Sequence, residues 1–266
     1  DDKDNVLIGS TGDDTIDGGA GDDKIYGGAG DDTIIQSGSG TQHYDGGEGT
    51  DTYKLNTAAF GNVDFDIKVD LTTGFSGLKD NPTHALNDTL TNIENVDFSD
   101  VSWDLVLNGD AKANILKGGS GNDVIQGNDG SDTIDSGAGD DKIYGGAGDD
   151  TIIQSGSGTQ HYDGGEGTDT YKLNTAAFGN VDFDIKVDLT TGFSGLKDNP
   201  THALNDTLTN IENVDFSDVS WDLVLNGDAN ANILKGGSGN DVIQGNAGSD
   251  TIDSGAGNDK IYGGAG

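Results

Sequence analysis

Single apolar residues recur every nine positions along much of the chain, each between polar neighbours. The clearest unit is Gly27-Gly28-Ala29-Gly30-Asp31-Asp32-Thr33-Ile34-Ile35, and we number its positions one to nine. Polar–apolar–polar at positions seven to nine predicts a short strand with one inward side chain, and the glycines at positions one to four predict a turn. A strand of three residues is not stable alone, so the units are expected to stack. The apolar residues at position eight are Ile16, Ile25, Ile34, Tyr44, Tyr53, Leu116, Ile125, Ile134, Ile143, Ile152, Tyr162, Tyr171, Leu234, Ile243, Ile252 and Ile261.

The units fall into three blocks, which we place at 1–54, 109–172 and 227–266, separated by 55–108 and 173–226. Residue 21 onward matches residue 139 onward as a second copy. The copies differ only as Lys112 against Asn230, Asp129 against Ala247, and Asp140 against Asn258. Duplication of this kind marks a repeat array. Since the chain has no Met and starts inside a degenerate unit, we expect it to be a piece of a longer protein.

The segments between blocks have their own apolar patterns. We predict a strand from one alternating run, a loop over 72–87, and two further apolar runs. The segment is expected to continue the solenoid as better-packed, calcium-poor turns. In the first copy the three runs are Val63, Phe65, Ile67, Val69 and Leu71; Leu90, Ile93, Val96 and Phe98; and Val101, Trp103, Leu105 and Leu107.

Composition adds a requirement for a counter-charge. The chain has 48 acidic and 13 basic residues, a formal charge of −35 and only 31% hydrophobic residues, which is typical of a disordered chain. Because the apolar positions are regular, we expect order that depends on bound cations. Acidity argues against nucleic-acid binding, and the lack of Cys excludes disulfides and Cys-based zinc sites. The sequence has no long apolar run, so no membrane span or signal peptide is expected within it.

Position six supplies the carboxylates for such a cation. Stacked turns would bring two of these side chains together beside glycine carbonyls, and an all-oxygen ligand set suits calcium. A solvated acidic face is the alternative, but the nine-residue spacing beside glycine pairs argues against it. An EF-hand loop is excluded because Asn128-Asp129-Gly130 lacks its alternating ligands and final Glu. Position six is Asp at Asp14, Asp23, Asp32, Asp51, Asp123, Asp132, Asp141, Asp150, Asp169, Asp241, Asp250 and Asp259.

These units resemble the GGxGxDxUx nonapeptide of the RTX (repeats-in-toxin) family. The resemblance implies an all-β fold, namely a right-handed parallel β-roll or β-helix solenoid with calcium ions in the turns. It also implies export through a type I secretion system and an extracellular location, in solution or at the cell surface. We expect about ten calcium ions in this chain.

The resemblance also implies the ligands. Each ion would lie between units two apart, held by both position-six side chains, by carbonyls of positions two and four of the earlier unit, and by carbonyls of positions one and three of the later unit. Asp32 and Asp51 would then share an ion with Gly28, Gly30, Gly46 and Glu48. The same rule joins Asp123 and Asp141 with Gly119, Gly121, Ser136 and Ala138, and Asp132 and Asp150 with Asn128, Gly130, Gly145 and Ala147. Further carbonyls expected on this rule are Gly19, Gly21, Gly27, Ala29, Gly146, Gly148, Gly164, Glu166, Gly237, Gly239, Ser254, Ala256, Asn246, Gly248, Gly263 and Ala265.

Five units lack the position-six Asp. They carry Gln42, Gln160, Asn5, Asn114 and Asn232, whose amides offer an oxygen without a charge. Asn114 and Asn232 remain candidate ligands, but the sites at all these positions are expected to be weak or empty.

No catalytic constellation is evident, and no His-Glu-x-x-His motif is present, so we expect no enzyme activity from this chain. His43 is interpreted as an exposed strand residue, and Trp103 and Trp221 as core residues on the apolar side of a strand. Three classes of function remain: a calcium-stiffened spacer or adhesin segment, a polysaccharide-binding or ice-binding module, and an accessory or targeting module of a secreted enzyme. A regular Thr row for ice is missing, and duplication favours the spacer. Expected partners are calcium and, beyond it, other copies of the repeat or a cell-surface polysaccharide.

Overall fold

The structure is a computed structural model that describes residues 1–60, 66–79, 87–178, 184–197 and 205–266. It divides into two compact units, Asp1–Gly130 and Ser131–Gly266. The described residues are almost entirely strands and turns, as the nine-residue pattern predicts, with one short 3₁₀ helix in each unit, at Thr57–Phe60 and Thr175–Phe178.

The first unit contains thirteen described strands. They are β1 (Val6–Ile8), β2 (Thr15–Asp17), β3 (Lys24–Ala29), β4 (Thr33–Gln36), β5 (His43–Glu48), β6 (Thr52–Leu55), β7 (Ile67–Asp70), β8 (Phe75–Leu78), β9 (Asp88–Thr91), β10 (Asn95–Asp97), β11 (Leu105–Asn108), β12 (Ile115–Lys117) and β13 (Val124–Asp129).

These strands alternate between two sheets, as a solenoid requires. The first sheet runs β1-β3-β5-β9-β8-β7-β11-β13 and the second runs β2-β4-β6-β10-β12. Strands two units apart pair in parallel and in register, so that Ile16 lies beside Ile34 and Ile34 beside Tyr53. Position eight therefore forms a column of apolar side chains in each sheet, and Ile25, Ile34, Tyr44 and Tyr53 are at most 2% exposed.

The segment between the blocks continues both sheets. β9 pairs in parallel with β5, and β10 pairs with β6 on one side and β12 on the other. The apolar run from Leu90 to Phe98 thus covers two strands separated by a turn. Val96 takes the position-eight place between Tyr53 and Leu116.

Three details of the predicted segment are wrong. The predicted loop over 72–87 contains β8, which pairs antiparallel with β7 and β9 because the chain reverses at Leu71–Gly74. β7 ends at Asp70, so Leu71 is a turn residue. In the third run the strand begins only at Leu105; Val101 and Trp103 lie in the preceding loop with their side chains buried. Val63, Phe65, His84 and His202 lie outside the described residues.

The second unit repeats this arrangement. Its sheets run β15-β17-β21-β20-β19-β23-β25-β27 and β14-β16-β18-β22-β24-β26, with β20 antiparallel to β19 and β21. The described strands are β14 (Thr133–Asp135), β15 (Lys142–Ala147), β16 (Thr151–Gln154), β17 (His161–Glu166), β18 (Thr170–Leu173), β19 (Ile185–Asp188), β20 (Phe193–Leu196), β21 (Asp206–Thr209), β22 (Asn213–Asp215), β23 (Leu223–Asn226), β24 (Ile233–Lys235), β25 (Val242–Gln244), β26 (Thr251–Asp253) and β27 (Lys260–Tyr262).

Burial along the core column is not uniform. Most position-eight side chains from Ile25 to Ile243 are fully buried, whereas Ile261 is 52% exposed because its strand, β27, has a neighbouring strand only on the β25 side. The predicted core role of Trp103 and Trp221 is confirmed, since each is 6% exposed and meets a Phe ring edge-on.

Candidate calcium sites

The position-six side chains form rows along the solenoid edges, because each turn enters its strand at the same point of the stack. In the first unit one row is Asp14, Asp32 and Asp51, linked by hydrogen bonds from a backbone N–H to the next side-chain carboxylate. The N–H of Asp14 donates to Oδ1 of Asp32 at 2.8 Å, and that of Asp32 to Oδ1 of Asp51 at 2.8 Å. In the second unit Asp132 donates to Asp150 at 2.7 Å and Asp150 to Asp169 at 2.8 Å. Stacking therefore brings the predicted pairs together.

The second carboxylate oxygen has a different environment. Where Oδ1 accepts the N–H of the preceding turn, Oδ2 is buried and has no hydrogen-bond partner within the described residues at the six aspartates named below. A buried, unpartnered carboxylate oxygen is costly, and a bound cation would satisfy it. The six aspartates are Asp23, Asp32, Asp51, Asp150, Asp169 and Asp250.

Backbone carbonyls face the same space as this oxygen. A methyl group built on Gly27 would lie 2.3 Å from Oδ2 of Asp32 and 2.3 Å from the carbonyl oxygen of Gly46. The corresponding point on Gly145 lies 2.3 Å from Oδ2 of Asp150 and 2.4 Å from the carbonyl oxygen of Gly164. Only glycine leaves this space open, and the converging oxygens include the predicted ligands Gly46 and Gly164.

The same arrangement recurs in the last block. A Cβ atom placed on Gly236 (its Cβ point) would lie 2.3 Å from Oδ2 of Asp241 and 2.8 Å from the carbonyl oxygen of Ser254. That of Gly245 lies 2.4 Å from Oδ2 of Asp250 and 2.4 Å from the carbonyl oxygen of Gly263. Carboxylate and carbonyl oxygens without thiolate or imidazole suit calcium, so these residues fit the expected ion.

The remaining predicted carbonyls point from one turn toward the next. The carbonyl oxygens of Gly28 and Gly30 lie 2.1 and 2.0 Å from the Cβ points of Gly47 and Gly49. Gly28 and Gly30 both have φ of 120°, which side chains disfavour. The N–H of Gly30 donates to the carbonyl of Glu48 at 2.9 Å, so that oxygen keeps one lone pair for an ion. Gly148 and Glu166 repeat the contact at 2.8 Å.

Several predicted members lie in less regular surroundings. Asp14 differs from its neighbours because its Oδ2 accepts the N–H of Ser10 at 2.6 Å, which also lowers its pKa. Asp259 accepts the N–H of Asp241 at 2.9 Å through Oδ1. Asp123 belongs to the first unit and Asp141 to the second, and each is described only within its own unit. Likewise, the carbonyls of Asn128 and Gly130 belong to the first unit, and those of Gly145 and Ala147 to the second.

Among the remaining predicted carbonyls, the structure places those of Gly237, Gly239 and Asn246 at 2.0, 1.8 and 1.8 Å from the Cβ points of Gly255, Gly257 and Gly264. The carbonyl oxygens of Gly19 and Gly21 would lie 2.5 and 2.0 Å from Cβ atoms placed on Gly38 and Gly40. The oxygens of Gly146 and Gly248 lie against Gly165 and Gly266. Ala256 and Ala265 donate backbone N–H groups to Gly237 and Asn246.

The amide side chains at position six donate a hydrogen bond to a backbone carbonyl that a calcium ion would otherwise bind. Oε1 of Gln42 accepts the N–H of Asp23 at 2.7 Å, and its Nε2 donates to the carbonyl of Gly21 at 2.7 Å. Gln160 makes the same two bonds, with Asp141 and Gly139. The amide therefore presents a donor to a carbonyl that the family rule assigns to calcium. Asn114 and Asn232 likewise donate to the carbonyls of Glu94 and Glu212 at 2.8 Å.

Burial and neighbouring charge raise the pKa of several of these carboxyls. Burial first, and then the charges of Asp132 and Asp149, raise the pKa of Asp150 to about 6. Burial, together with Asp150 and Glu212, raises the pKa of Asp169 to about 6. The pKa values of Asp51 and Asp241 are raised by burial in the same way. A cation bound beside these carboxyls would favour their ionised form.

Two acidic residues per copy extend these rows and were not predicted. Asp88 accepts the N–H of Gln42 at 2.8 Å, and Glu94 accepts that of Asp51 at 3.1 Å, so both occupy position six of segment turns. Asp206 and Glu212 are their counterparts. An acidic residue directly before a polar–apolar–polar triplet, as in Asp88-Thr89-Leu90-Thr91, is the signal that identifies them.

The family comparison agrees with this geometry. A family profile described as RTX calcium-binding nonapeptide repeat (4 copies) matches residues 1–34, 108–142, 126–153, 139–171 and 226–261, together about half of the chain. The chain belongs to the RTX calcium-binding repeat family. Its repeats imply calcium binding in the turns described above.

The other comparisons are less informative. No curated protein matches the chain. A crystal structure of extracellular lipase LipA from Serratia marcescens is similar at 20% identity with a TM-score of 0.30, over 78% of this RTX chain and 38% of the lipase chain. The RTX chain thus spans well under half of that protein.

Two further observations concern the described part of the RTX chain. It has no helix long and apolar enough to cross a membrane. Within the described residues, no three acidic, imidazole or thiol side chains converge as a metal cluster.

Proposed function

We propose that this chain is a structural repeat segment of a secreted protein, which folds and stiffens when calcium binds outside the cell. The observation that carries the proposal is the set of buried, unpartnered carboxylate oxygens facing backbone carbonyls between stacked turns. Calcium would supply the positive charge that this set of oxygens lacks.

The energetics support coupling between ion binding and folding. One buried apolar side chain per nonapeptide contributes roughly 1.5–3 kcal/mol, against roughly 1–2 kcal/mol of backbone entropy for each ordered residue. A formal charge of −35 adds self-repulsion to the compact state. Without bound cations, the rows of like charges at the turns would favour the unfolded chain.

The proposed site of action is extracellular, with export through a type I system. Extracellular calcium modules bind with Kd of roughly 10⁻⁴–10⁻³ M, so the chain would remain unfolded at the low calcium concentration of a cytoplasm and fold after export. Family membership supports this route.

We further propose a non-catalytic, spacing role. The two nearly identical copies, with three substitutions between them, support a segment that lengthens by duplication. Each copy has its own core column and paired strands, so additional copies would require no new fold.

Circular dichroism of the chain in EGTA and then in millimolar calcium tests the proposal. We expect a disordered spectrum in EGTA and a β spectrum after calcium is added. A β spectrum that is unchanged by chelation would contradict calcium-dependent folding. Magnesium at equal concentration is the control, because it requires octahedral geometry and gives up its water reluctantly.

A further inference from the structure

The last turn of each calcium-rich row lies beside a shortened turn of the neighbouring segment. Within block one, Tyr44 and Tyr53 occupy successive position-eight places nine residues apart. In the segment stacked on them, Leu90 and Val96 occupy the corresponding places six residues apart. Three turn residues are therefore missing, and Asn92-Ile93-Glu94 must connect β9 to β10.

The shortened turn still presents two oxygen ligands. Asn92 takes a left-handed conformation with φ of 50°, and its carbonyl oxygen lies 2.1 Å from the Cβ point of Gly46, where Oδ2 of Asp51 lies at 2.3 Å. Asn92 thus replaces the position-one carbonyl that Gly46 itself supplies to the preceding turn.

Glu94 replaces the position-six aspartate. Its Oε2 accepts the N–H of Asp51 at 3.1 Å, the bond that Oδ1 of Asp51 accepts from Asp32 one turn earlier. Glutamate has one more methylene than aspartate, which offsets the shorter turn and lets the carboxylate reach the row. The Glu94 side chain is 13% exposed, so it lies largely within the stack.

An independent observation indicates a ligand at this point. Asp51 is completely buried, and its Oδ2 has no hydrogen-bond partner within the described residues, although it lies with the carbonyl oxygen of Asn92 beside Gly46. The second copy repeats every element. Asp169 is completely buried, and its Oδ2 has no hydrogen-bond partner in the part of the chain that the structure describes. A Cβ placed on Gly164 would lie 2.5 Å from this oxygen and 2.1 Å from the carbonyl oxygen of Asn210. Glu212 accepts the N–H of Asp169 at 2.8 Å.

We propose that Asp51, Glu94 and the carbonyl of Asn92 form an additional calcium site at the junction of block and segment, and that Asp169, Glu212 and Asn210 form its counterpart. Both junction sites use a segment glutamate that lies outside the residues matched by the nonapeptide family. They extend each calcium row by one ion into a segment that the nonapeptide pattern does not cover.

The two junction sites differ in one neighbouring residue. Nζ of Lys112 lies 2.9 Å from Oε1 of Glu94 and competes with a cation for that oxygen. The second copy has Asn230 there, whose amide bonds to Asp228 at 2.7 Å instead. Glu212 makes no ion pair within the described residues. The site in the second copy should therefore bind calcium more tightly, by up to about five-fold, since an exposed ion pair contributes up to about 1 kcal/mol.

Native mass spectrometry during a calcium titration of the full chain tests this, because it counts bound ions directly. Glu212→Gln should lower the maximal count by one, and Glu94→Gln combined with Glu212→Gln should lower it by two. Gln keeps an acceptor for the backbone N–H, so folding in calcium should be retained, as circular dichroism of each variant would check. Lys112→Asn should move filling of the first junction site to lower calcium, by up to about five-fold, and Asn230→Lys should move the second to higher calcium.

The result that overturns the proposal is an unchanged count in the Glu94→Gln and Glu212→Gln double variant. The inference rests on calcium binding by the nonapeptide turns, which is part of the proposed function, and the outcomes separate the two. A wild-type chain that binds no calcium contradicts both, whereas a wild-type chain that binds calcium with an unchanged count in the double variant contradicts only the junction sites. Insensitivity of both sites to the Lys112 and Asn230 exchanges contradicts the predicted difference in affinity.

Discussion

At the scale of single residues, the position-six carboxylate has two separate roles. One oxygen accepts the N–H of the preceding turn and sets the stacking register. The other faces the carbonyls and has no partner among the described residues at the six aspartates named above. An amide preserves the first role and reverses the second, because its NH₂ group donates where a cation would be bound. Gln42 shows this directly through its bonds to Asp23 and Gly21.

Because a carboxylate at position 42 would accept where the Gln42 amide donates, we expect Gln42→Asp to create a calcium site with Asp23. The variant should bind one more ion than the wild type at saturating calcium, and should be less stable in EGTA because it loses the bond to Gly21 and adds a charge. Native mass spectrometry gives the count and thermal unfolding gives the stability. Gln42→Asn is the uncharged control, and an equal increase in its count would contradict the explanation.

A second residue-scale prediction concerns the buried acids of the segments. Burial raises the pKa of Asp88 and of Asp206 to about 7, although hydrogen bonds from the Gln42 and Gln160 backbones act in the opposite direction. Because these pKa values exceed the ordinary 3.8, the folded chain binds more protons than the unfolded chain between pH 4 and 7. The stability from these two groups is fully present below about pH 4 and is lost as pH rises to about 7.

Replacing both residues by Asn should therefore flatten the pH dependence of stability between pH 5 and 8. The free energy of unfolding, measured by denaturant titration at saturating calcium, should depend less steeply on pH in Asp88→Asn with Asp206→Asn than in the wild type. The difference between the two profiles isolates these groups, since the calcium ligands titrate in both proteins. Identical profiles would show that Asp88 and Asp206 are ionised throughout.

At the scale of elements, the additional Gln36 is part of the core rather than a break in it. It ends β4, is 2% exposed, and its Oε1 accepts the hydroxyls of Tyr44 at 3.0 Å and Tyr53 at 3.1 Å. These Tyr residues replace Ile in the position-eight column, and a buried hydroxyl needs a partner. The inserted Gln lengthens the spacing to nineteen residues and supplies that partner.

We therefore expect Gln36→Met to destabilise the calcium-bound chain by about 1–3 kcal/mol, because it leaves the two hydroxyls without their shared acceptor. Combining it with Tyr44→Phe should cost less than the sum of the single changes, by about 1 kcal/mol. Denaturant unfolding of the four proteins in the double-mutant cycle measures this coupling. Additive effects would mean that the Gln36–Tyr44 bond contributes nothing to stability.

The nine-residue pattern predicts the strands and the core column, and the RTX resemblance predicts the pairing of Asp32 with Asp51, because each repeats one local rule. Segment features that obey no repeat were not predicted. β8 reverses direction, which a parallel pattern cannot indicate, and Glu94 enters the calcium row only because three turn residues are missing. The bonding of Gln36 to tyrosines eight and seventeen positions later depends on the stacked structure, so sequence spacing alone does not reveal it.

At the scale of the whole molecule, the charge is distributed in rows that calcium would neutralise together. Within the described parts of the two units, five stacked pairs have Asp at both position-six places. A chain with a formal charge of −35 gains most from ions that bind between two carboxylates each. The five pairs are Asp14 with Asp32, Asp32 with Asp51, Asp132 with Asp150, Asp150 with Asp169, and Asp241 with Asp259.

Stability should consequently rise steeply with calcium. Each ion that binds only the folded chain adds about 1.4 kcal/mol to the free energy of unfolding per tenfold increase in calcium above its Kd. Denaturant unfolding should therefore be measured at calcium concentrations from 1 to 100 mM (about a hundredfold range). The free energy of unfolding, plotted against the logarithm of the calcium concentration, should have a slope that corresponds to at least five ions, one for each Asp–Asp pair. Asp150→Asn, which alters two of these pairs, should lower the slope by one to two ions, whereas Asp13→Asn on the exposed face should not. A slope near one ion would mean that the carboxylate rows do not act through bound calcium, whatever their geometry.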